Sequence, residues 1–147
     1  MLVEQILPAT REKLLTIRET APLMEAAILL NGRNANLVVV CSSDGLMVGV
    51  ITKTDVVGQI SQCQGSSCTM AAAAVMTRDV AYCQPHDLLT DVWSTMKQRG
   101  LRHMPITNQE LRPIGILNAR QTVQALLDEV EHEEQMLVDY VMCVGYR

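Results

Sequence analysis

Gly49 and Gly115 stand 66 positions apart (115 − 49), and sliding the chain over itself by that distance aligns most of one half with the other without a gap. Ile17-Arg18-Glu19-Thr20 falls on Cys83-Gln84-Pro85-His86, and Leu23-Met24-Glu25-Ala26-Ala27 on Leu89-Thr90-Asp91-Val92-Trp93. Leu37-Val38-Val39-Val40 falls on His103-Met104-Pro105-Ile106, and Val48-Gly49-Val50-Ile51 on Ile114-Gly115-Ile116-Leu117. Identities are few, yet the succession of element types is the same. A repeat constrains the fold more than any local signal, because each element must have a counterpart.

Read by period, the first half predicts a strand over Leu14 to Ile17. An amphipathic helix follows, with Pro22 in its first turn and Leu23, Ala26, Ala27 and Leu30 on one face. Asn31-Gly32 is the expected helix stop. Leu37 to Cys41 and Leu46 to Ile51 are strands across the turn Ser42-Ser43-Asp44-Gly45, and a second helix runs from about Thr54 to Ser61. In the second half, Val80 to Cys83 is the strand, and Leu88, Val92, Met96 and Trp93 form the helix face, capped by His86 or Asp87 and ended by Gly100. His103 to Thr107 and Arg112 to Leu117 then pair across a turn at Asn108-Gln109-Glu110. Pro105 and Pro113 belong at strand ends or on an edge, because proline cannot donate to a ladder.

The core must be packed without many rings: 48% of the 147 residues are apolar, but only 3% are aromatic and Phe is absent. A net charge of −4 with no basic stripe or aromatic platform argues against nucleic acid. No apolar stretch approaches the ~20 residues that span a bilayer, and no signal peptide is visible, so a soluble cytoplasmic protein with no membrane partner is expected. The five cysteines are scattered. Cys41 and Cys83 read as small buried hydrophobes, while Cys63 and Cys68 flank a Gln-Gly-Ser-Ser loop as structural thiols, a redox-labile disulfide or metal ligands.

From Ala119 to Val144, apolar residues fall at Val123, Leu127, Val130, Leu137, Val141 and Val144, in alternating steps of four and three with Glu134 interrupting one seam position. This predicts a long helix ending at Gly145, with Glu131, His132, Glu133 and Glu134 as a wet band. It has no counterpart in the first half. It either packs on its own domain or pairs with the same helix of a second subunit, the reading we favour.

Gly49-Val50-Ile51-Thr52-Lys53-Thr54-Asp55 carries the chemistry. Thr52 or Thr54 can cap the following helix, whose free N–H groups form an anion site. Asp55 can accept hydrogen bonds from two neighbouring hydroxyls, as on a ribose. A helix cap alone would also account for the pattern.

The tandem resembles the paired cystathionine-β-synthase (CBS) domain module over roughly residues 8 to 128. The residues that carry the resemblance are Gly49 to Asp55, the turn and strand Asp44 to Gly49, the entry segment Val75-Met76-Thr77-Arg78-Asp79-Val80, and Gly100-Leu101-Arg102-His103-Met104-Pro105-Ile106. The resemblance implies an α+β fold of two βαββα repeats with pseudo-two-fold symmetry, plus the longer C-terminal helix. The division is repeat one at 1–62, a linker at 63–74, repeat two at 75–128 and a helical extension at 129–147. It further implies a stand-alone regulatory module that forms a homodimer and binds an adenosine-containing small molecule, AMP, ADP, ATP or S-adenosylmethionine, between the repeats. No cofactor is required, and the regulated partner is another, unidentified chain.

Carried over residue by residue, Asp55 would hold the ribose diol and Thr52 would contact ribose or phosphate, with Ile51 and Thr54 beside them. Leu15, Thr16 and Ile17, with Ala35, Asn36, Leu37 and Val38, would enclose the adenine. Arg102 and His103 would contact phosphate, with Lys53 as the alternative. Opposite strand parity predicts that only one of Arg102 and His103 faces the cleft, unless a strand end relaxes it. At the matching place in repeat two, Asn118-Ala119-Arg120-Gln121 keeps a cap but drops the acid, so one competent site is expected, centred on Asp55.

A constitutive oligomeric scaffold without ligand control is the alternative function. Catalysis is disfavoured, because His86, His103 and His132 stand at a helix cap, a strand and a helix end, with no nucleophile–base pair or metal spacing.

Overall fold

A computed structural model describes residues 1–62 and 70–145, with backbone alone at 62 and 143–145. A short 3-10 helix (Val3–Ile6) and α1 (Leu7–Arg11) lead into β1 (Thr16–Arg18), α2 (Leu23–Gly32), β2 (Leu37–Cys41), β3 (Met47–Thr52) and α3 (Lys53–Gln62). The second half holds α4 (Ala72–Val75), α5 (Leu89–Arg99), β4 (His103–Thr107), β5 (Pro113–Asn118) and α6 (Ala119–Gly145). The expectations for Cys63 and Cys68 fall outside the described residues. Cys41 and Cys83 are buried, and among the described residues both are free thiols.

In repeat one, β1 lies parallel to β2, and β2 antiparallel to β3. The strand starts two residues later than expected, because Lys13 and Leu14 are still turning back onto α1 through bonds to the Thr10 and Arg11 carbonyls. Repeat two keeps the β4–β5 hairpin, but the expected strand Val80 to Cys83 shrinks to a single parallel bridge between Cys83 and Ile106. Two prolines explain the loss. In repeat one the Val39 and Glu19 amides donate to Leu15 and Cys41. The equivalent positions are Pro105 and Pro85, which have no N–H to give. Pro105 therefore sits in mid-strand, at the edge that faces Cys83.

Helix ends show the same offset. Gly32 is the last residue of α2 rather than its stop; the left-handed turn is made by Asn34 (φ 49°), and in repeat two by its equivalent Gly100 (φ 63°). In the hairpins, the left-handed position is Gly45 (φ 82°) in repeat one and Leu111 (φ 63°) in repeat two. Two details of α5 differ from expectation. Leu89, not Leu88, faces the core with Val92 and Met96, and Asp87 accepts from the Gln84 amide instead of capping the helix.

The repeats exchange their leading segments. Val3 and Leu7 are buried with Leu89, Met96, Met104 and Leu117 of repeat two, whereas Ala72 and Met76 are buried with Leu23, Ala26 and Ile51 of repeat one. The crossing is close enough to need glycine. A Cβ on Gly49 would lie 2.7 Å from both Met76 Sδ and the Thr77 carbonyl, and one on Gly115 would lie 2.6 Å from Thr10 Oγ1. Thr10 and Met76 are themselves repeat equivalents. The Val50 amide also donates to the Thr77 carbonyl, and the Thr77 amide to the Val50 carbonyl, adding one bridge to the edge of β3. Each sequence half thus completes the core of the other.

α6 begins packed on α5 and β5, then continues into solvent. Val130, Leu137 and Val141 are all more than half exposed, and Met136, Val138 and Tyr140 widen the apolar surface. No helix among the described residues is long and apolar enough to cross a membrane.

Candidate functional site

β3 runs directly into α3, so Thr52 is both the last strand residue and the residue that caps the helix. Its Oγ1 accepts the Asp55 amide at 3.2 Å, and Asp55 Oδ2 accepts the Thr52 amide at 3.0 Å. This is a reciprocal capping box with Asp in the place of the commoner Glu or Gln, and a negative charge in the first turn suits the helix dipole. The Lys53 amide donates to the Asn36 carbonyl and anchors the same turn to the loop before β2. The helix-cap reading of this motif is therefore realised. It engages one carboxylate oxygen; Asp55 Oδ1 accepts no protein hydrogen bond among the described residues, and a carboxylate has room for several.

Asp55 opens into a cavity of about 420 Å³ between the repeats. One wall is Asn36, Leu37 and Thr52 to Asp55; the other is Asp79 to Ala81 and Arg99 to His103. A volume of this order suits a small-molecule site. The repeat operation generates a smaller cavity of about 240 Å³, bounded by Glu12, Lys13, Leu15, Arg33 to Leu37, His103, Ile116 and Asn118. In that second cleft no carboxylate occupies the place of Asp55. Asn118 caps α6 by accepting the Arg120 amide at 2.7 Å, and Gln121 Oε1 is buried without a partner among the described residues.

Of the residues expected from sequence, Asn36, Leu37, Thr52, Lys53, Thr54, Asp55, Arg102 and His103 meet around the larger cavity. Leu15 and Ala35 line the smaller one. Thr16 and Ile17 border an open depression of about 780 Å³ near Arg18 and Arg112. Val38 and Ile51 are fully buried and line none of these spaces. In the Asp55 cavity, the places corresponding to Leu15 and Ala35 are held by their repeat equivalents, Ala81 and Leu101. The offset of 66 carries Leu15 to Ala81 and Ala35 to Leu101.

Both Arg102 and His103 border the Asp55 cavity. Arg102 precedes β4 and so escapes strand alternation. The imidazole of His103 is held below its usual pKa by burial first, then by Lys13 and Arg102. Burial, with Asp87 nearby, pushes the Cys83 thiol up to about 12, and burial also raises that of Cys41, so both remain protonated and unreactive at neutral pH. Among the described residues no group of three His, Cys, Asp or Glu side chains is placed to hold a metal. Lys53, Arg99 and Arg102 give the cavity three cations against Asp55 and Asp79; Arg99 approaches Asp79 at 3.8 Å in an exposed pair of little energetic weight.

The CBS domain family matches twice, at residues 3–62 and 72–128. An uncharacterised 17.7 kDa protein of Acidianus ambivalens is 30% identical over 116 residues, covering 79% of this chain and 69% of that one. A homoserine O-acetyltransferase of Methanocorpusculum labreanum is 29% identical over 117 residues, and this chain spans only 23% of its length. Among solved structures, the CBS domain pair of protein MJ0100, in complex with 5′-methylthioadenosine and S-adenosyl-L-methionine, superposes with a TM-score of 0.72 at 22% identity, covering 88% of this chain and 97% of that one. CBSX2 in complex with AMP superposes with a TM-score of 0.73 at 18% identity, covering 86% and 96%. With its two family matches, its tandem repeats and its two clefts related by the repeat, the chain belongs to the CBS domain family.

Proposed function

We propose that this module is a regulatory sensor that binds an adenosine-containing ligand in the Asp55 cavity without catalysing a reaction. The observation that carries the reading is the half-used carboxylate: Asp55 spends one oxygen on its helix cap and turns toward a cavity walled by both repeats. A ribose diol supplies the two donors that the remaining lone pairs accept. Structures of the same fold in complex with 5′-methylthioadenosine, S-adenosyl-L-methionine or AMP support that ligand class. Thr52 and Lys53 lie beside the ribose, Ala81 and Leu101 take the base, and Arg102 and His103 take a phosphate. A ligand held by both walls biases the repeats' relative orientation, and a partner protein is regulated only as far as the ligand's affinity differs between the two arrangements.

Calorimetric titration with AMP, ATP and S-adenosylmethionine tests this. Wild type should bind at least one of them, and Asp55→Asn, which keeps an acceptor for the Thr52 amide, should lose about tenfold to a hundredfold in affinity. No heat and no melting shift with any ligand at millimolar concentration would sink the proposal.

The exposed apolar face of α6 favours a second reading, a homodimeric scaffold whose long helix pairs with that of another copy. Truncation after Leu127 should then convert dimers to monomers in analytical ultracentrifugation while leaving ligand affinity unchanged. Monomers before truncation would count against it.

A further inference from the structure

The two clefts share three wall residues, Asn36, Leu37 and His103, of which only His103 can change its charge. Leu37 and His103 are repeat equivalents, and each opens its strand opposite a cap residue: Leu37 pairs with Thr52, His103 with Asn118. The centre of the module is therefore apolar on one side and titratable on the other. Two cations act on His103, Arg102 beside it and Lys13 from the segment before β1. Across the Asp55 cavity stand Lys53 and Arg99, with Asp55 and Asp79 as the acids; across the smaller cleft stand Glu12 and Arg33.

We propose that His103 is a proton-linked anion contact: a phosphate in the Asp55 cavity is bound together with a proton on this imidazole, so the site prefers phosphorylated adenosine at lower pH. The inference rests on the adenosyl reading of that cavity and adds its charge preference and its regulation. In the empty protein, burial and the two neighbouring cations keep the ring neutral near pH 7. A phosphate placed between Arg102 and His103 offsets that positive field and favours the imidazolium. The sign follows. Below the free pKa the ring is charged in both states, and above the raised, bound pKa it is neutral in both. Between the two, binding takes up a proton and affinity rises as pH falls. A sulfonium ligand brings positive charge and gains nothing from the proton.

Titrating the full chain with AMP in two buffers of different ionisation enthalpy measures the uptake directly. Between pH 8 and pH 6.5, AMP affinity should rise about twofold to fourfold, the change that a one-unit rise in the midpoint of one linked proton gives over that range. Adenosine and S-adenosylmethionine should show no such rise. The phosphate's own second ionisation, near pH 6, works in the opposite sense, so it cannot imitate the effect. His103→Asn should bind AMP without proton uptake. Proton NMR of the wild-type imidazoles gives a check independent of that variant's folding: AMP should raise the His103 midpoint by about one pH unit, and leave the exposed His86 and His132 unmoved. AMP binding with no proton uptake, or with uptake undiminished in His103→Asn, overturns the inference and leaves the adenosyl reading standing. Failure of AMP, adenosine and S-adenosylmethionine all to bind overturns both.

Discussion

Thr52 to Asp55 and Asn118 to Gln121 occupy the same place in the two repeats and solve the same problem with different residues. Both sit where a buried strand becomes a helix and free amides must be satisfied. Repeat one uses a hydroxyl and a carboxylate reciprocally; repeat two uses one amide oxygen and leaves Gln121 Oε1 buried with no partner among the described residues. Asp55 is thus part of a working cap, although the second repeat forms its helix without an acid there. The acid is one solution among several for the helix, and only it suits a diol. The two halves serve as controls for each other, because a difference at equivalent positions separates what the fold requires from what one half does in addition.

The largest test concerns what the halves share. Ile51 and Leu117 are equivalent and fully buried. Ile51→Ala and Leu117→Ala should each cost about 2–5 kcal/mol in urea unfolding, by similar amounts. A strong inequality would break the symmetry of the core. The crossings should be less alike. Gly49→Ala meets a backbone carbonyl, whereas Gly115→Ala meets the Thr10 and Leu7 side chains. Gly49→Ala should cost about 3 kcal/mol and Gly115→Ala nearer 2 kcal/mol, because the buried Thr10 can turn only by giving up its hydroxyl bond to the Leu7 carbonyl, while the bonded Thr77 carbonyl cannot turn at all.

Smaller effects sharpen the comparison at the caps and turns. Thr52→Ala and Asn118→Ala should each lose about 1 kcal/mol by the same measurement. Thr52→Ala should also weaken the adenosyl ligand, and Asn118→Ala should not. The smallest change runs the other way. Leu111 holds the left-handed position that Gly45 holds in repeat one. Leu111→Gly should therefore raise stability by no more than about 1 kcal/mol, the relief of backbone strain less the added chain entropy. Gly45→Ala should lower stability, since φ is +82° and the new Cβ would lie 2.9 Å from Arg112.

The site was legible where it is local. Thr52 to Asp55 could be read from the strand-to-helix transition, whereas Arg102 and His103 came from the family resemblance of the run Gly100 to Ile106. The partners Ala81 and Leu101 were not, since nothing near them in sequence distinguishes them from Leu15 and Ala35. The strand expected at Val80 to Cys83 was lost for a related reason: the prolines that interrupt its ladder are Pro85, just beyond it, and Pro105 on the neighbouring strand.

By itself, the sequence determined two repeats, the order of their elements, the long last helix and the loss of the acid from one half. These are consequences of short-range periodicity, of proline and glycine placement, and of an offset that can be counted. Only the tertiary structure decided that each leading segment crosses to the other repeat, and so which residues share a cleft. Packing Val3 and Leu7 against Leu117 joins positions more than a hundred apart, and the sole local trace of it is a glycine on the opposing strand. Burial is indifferent to chain order; periodicity is not.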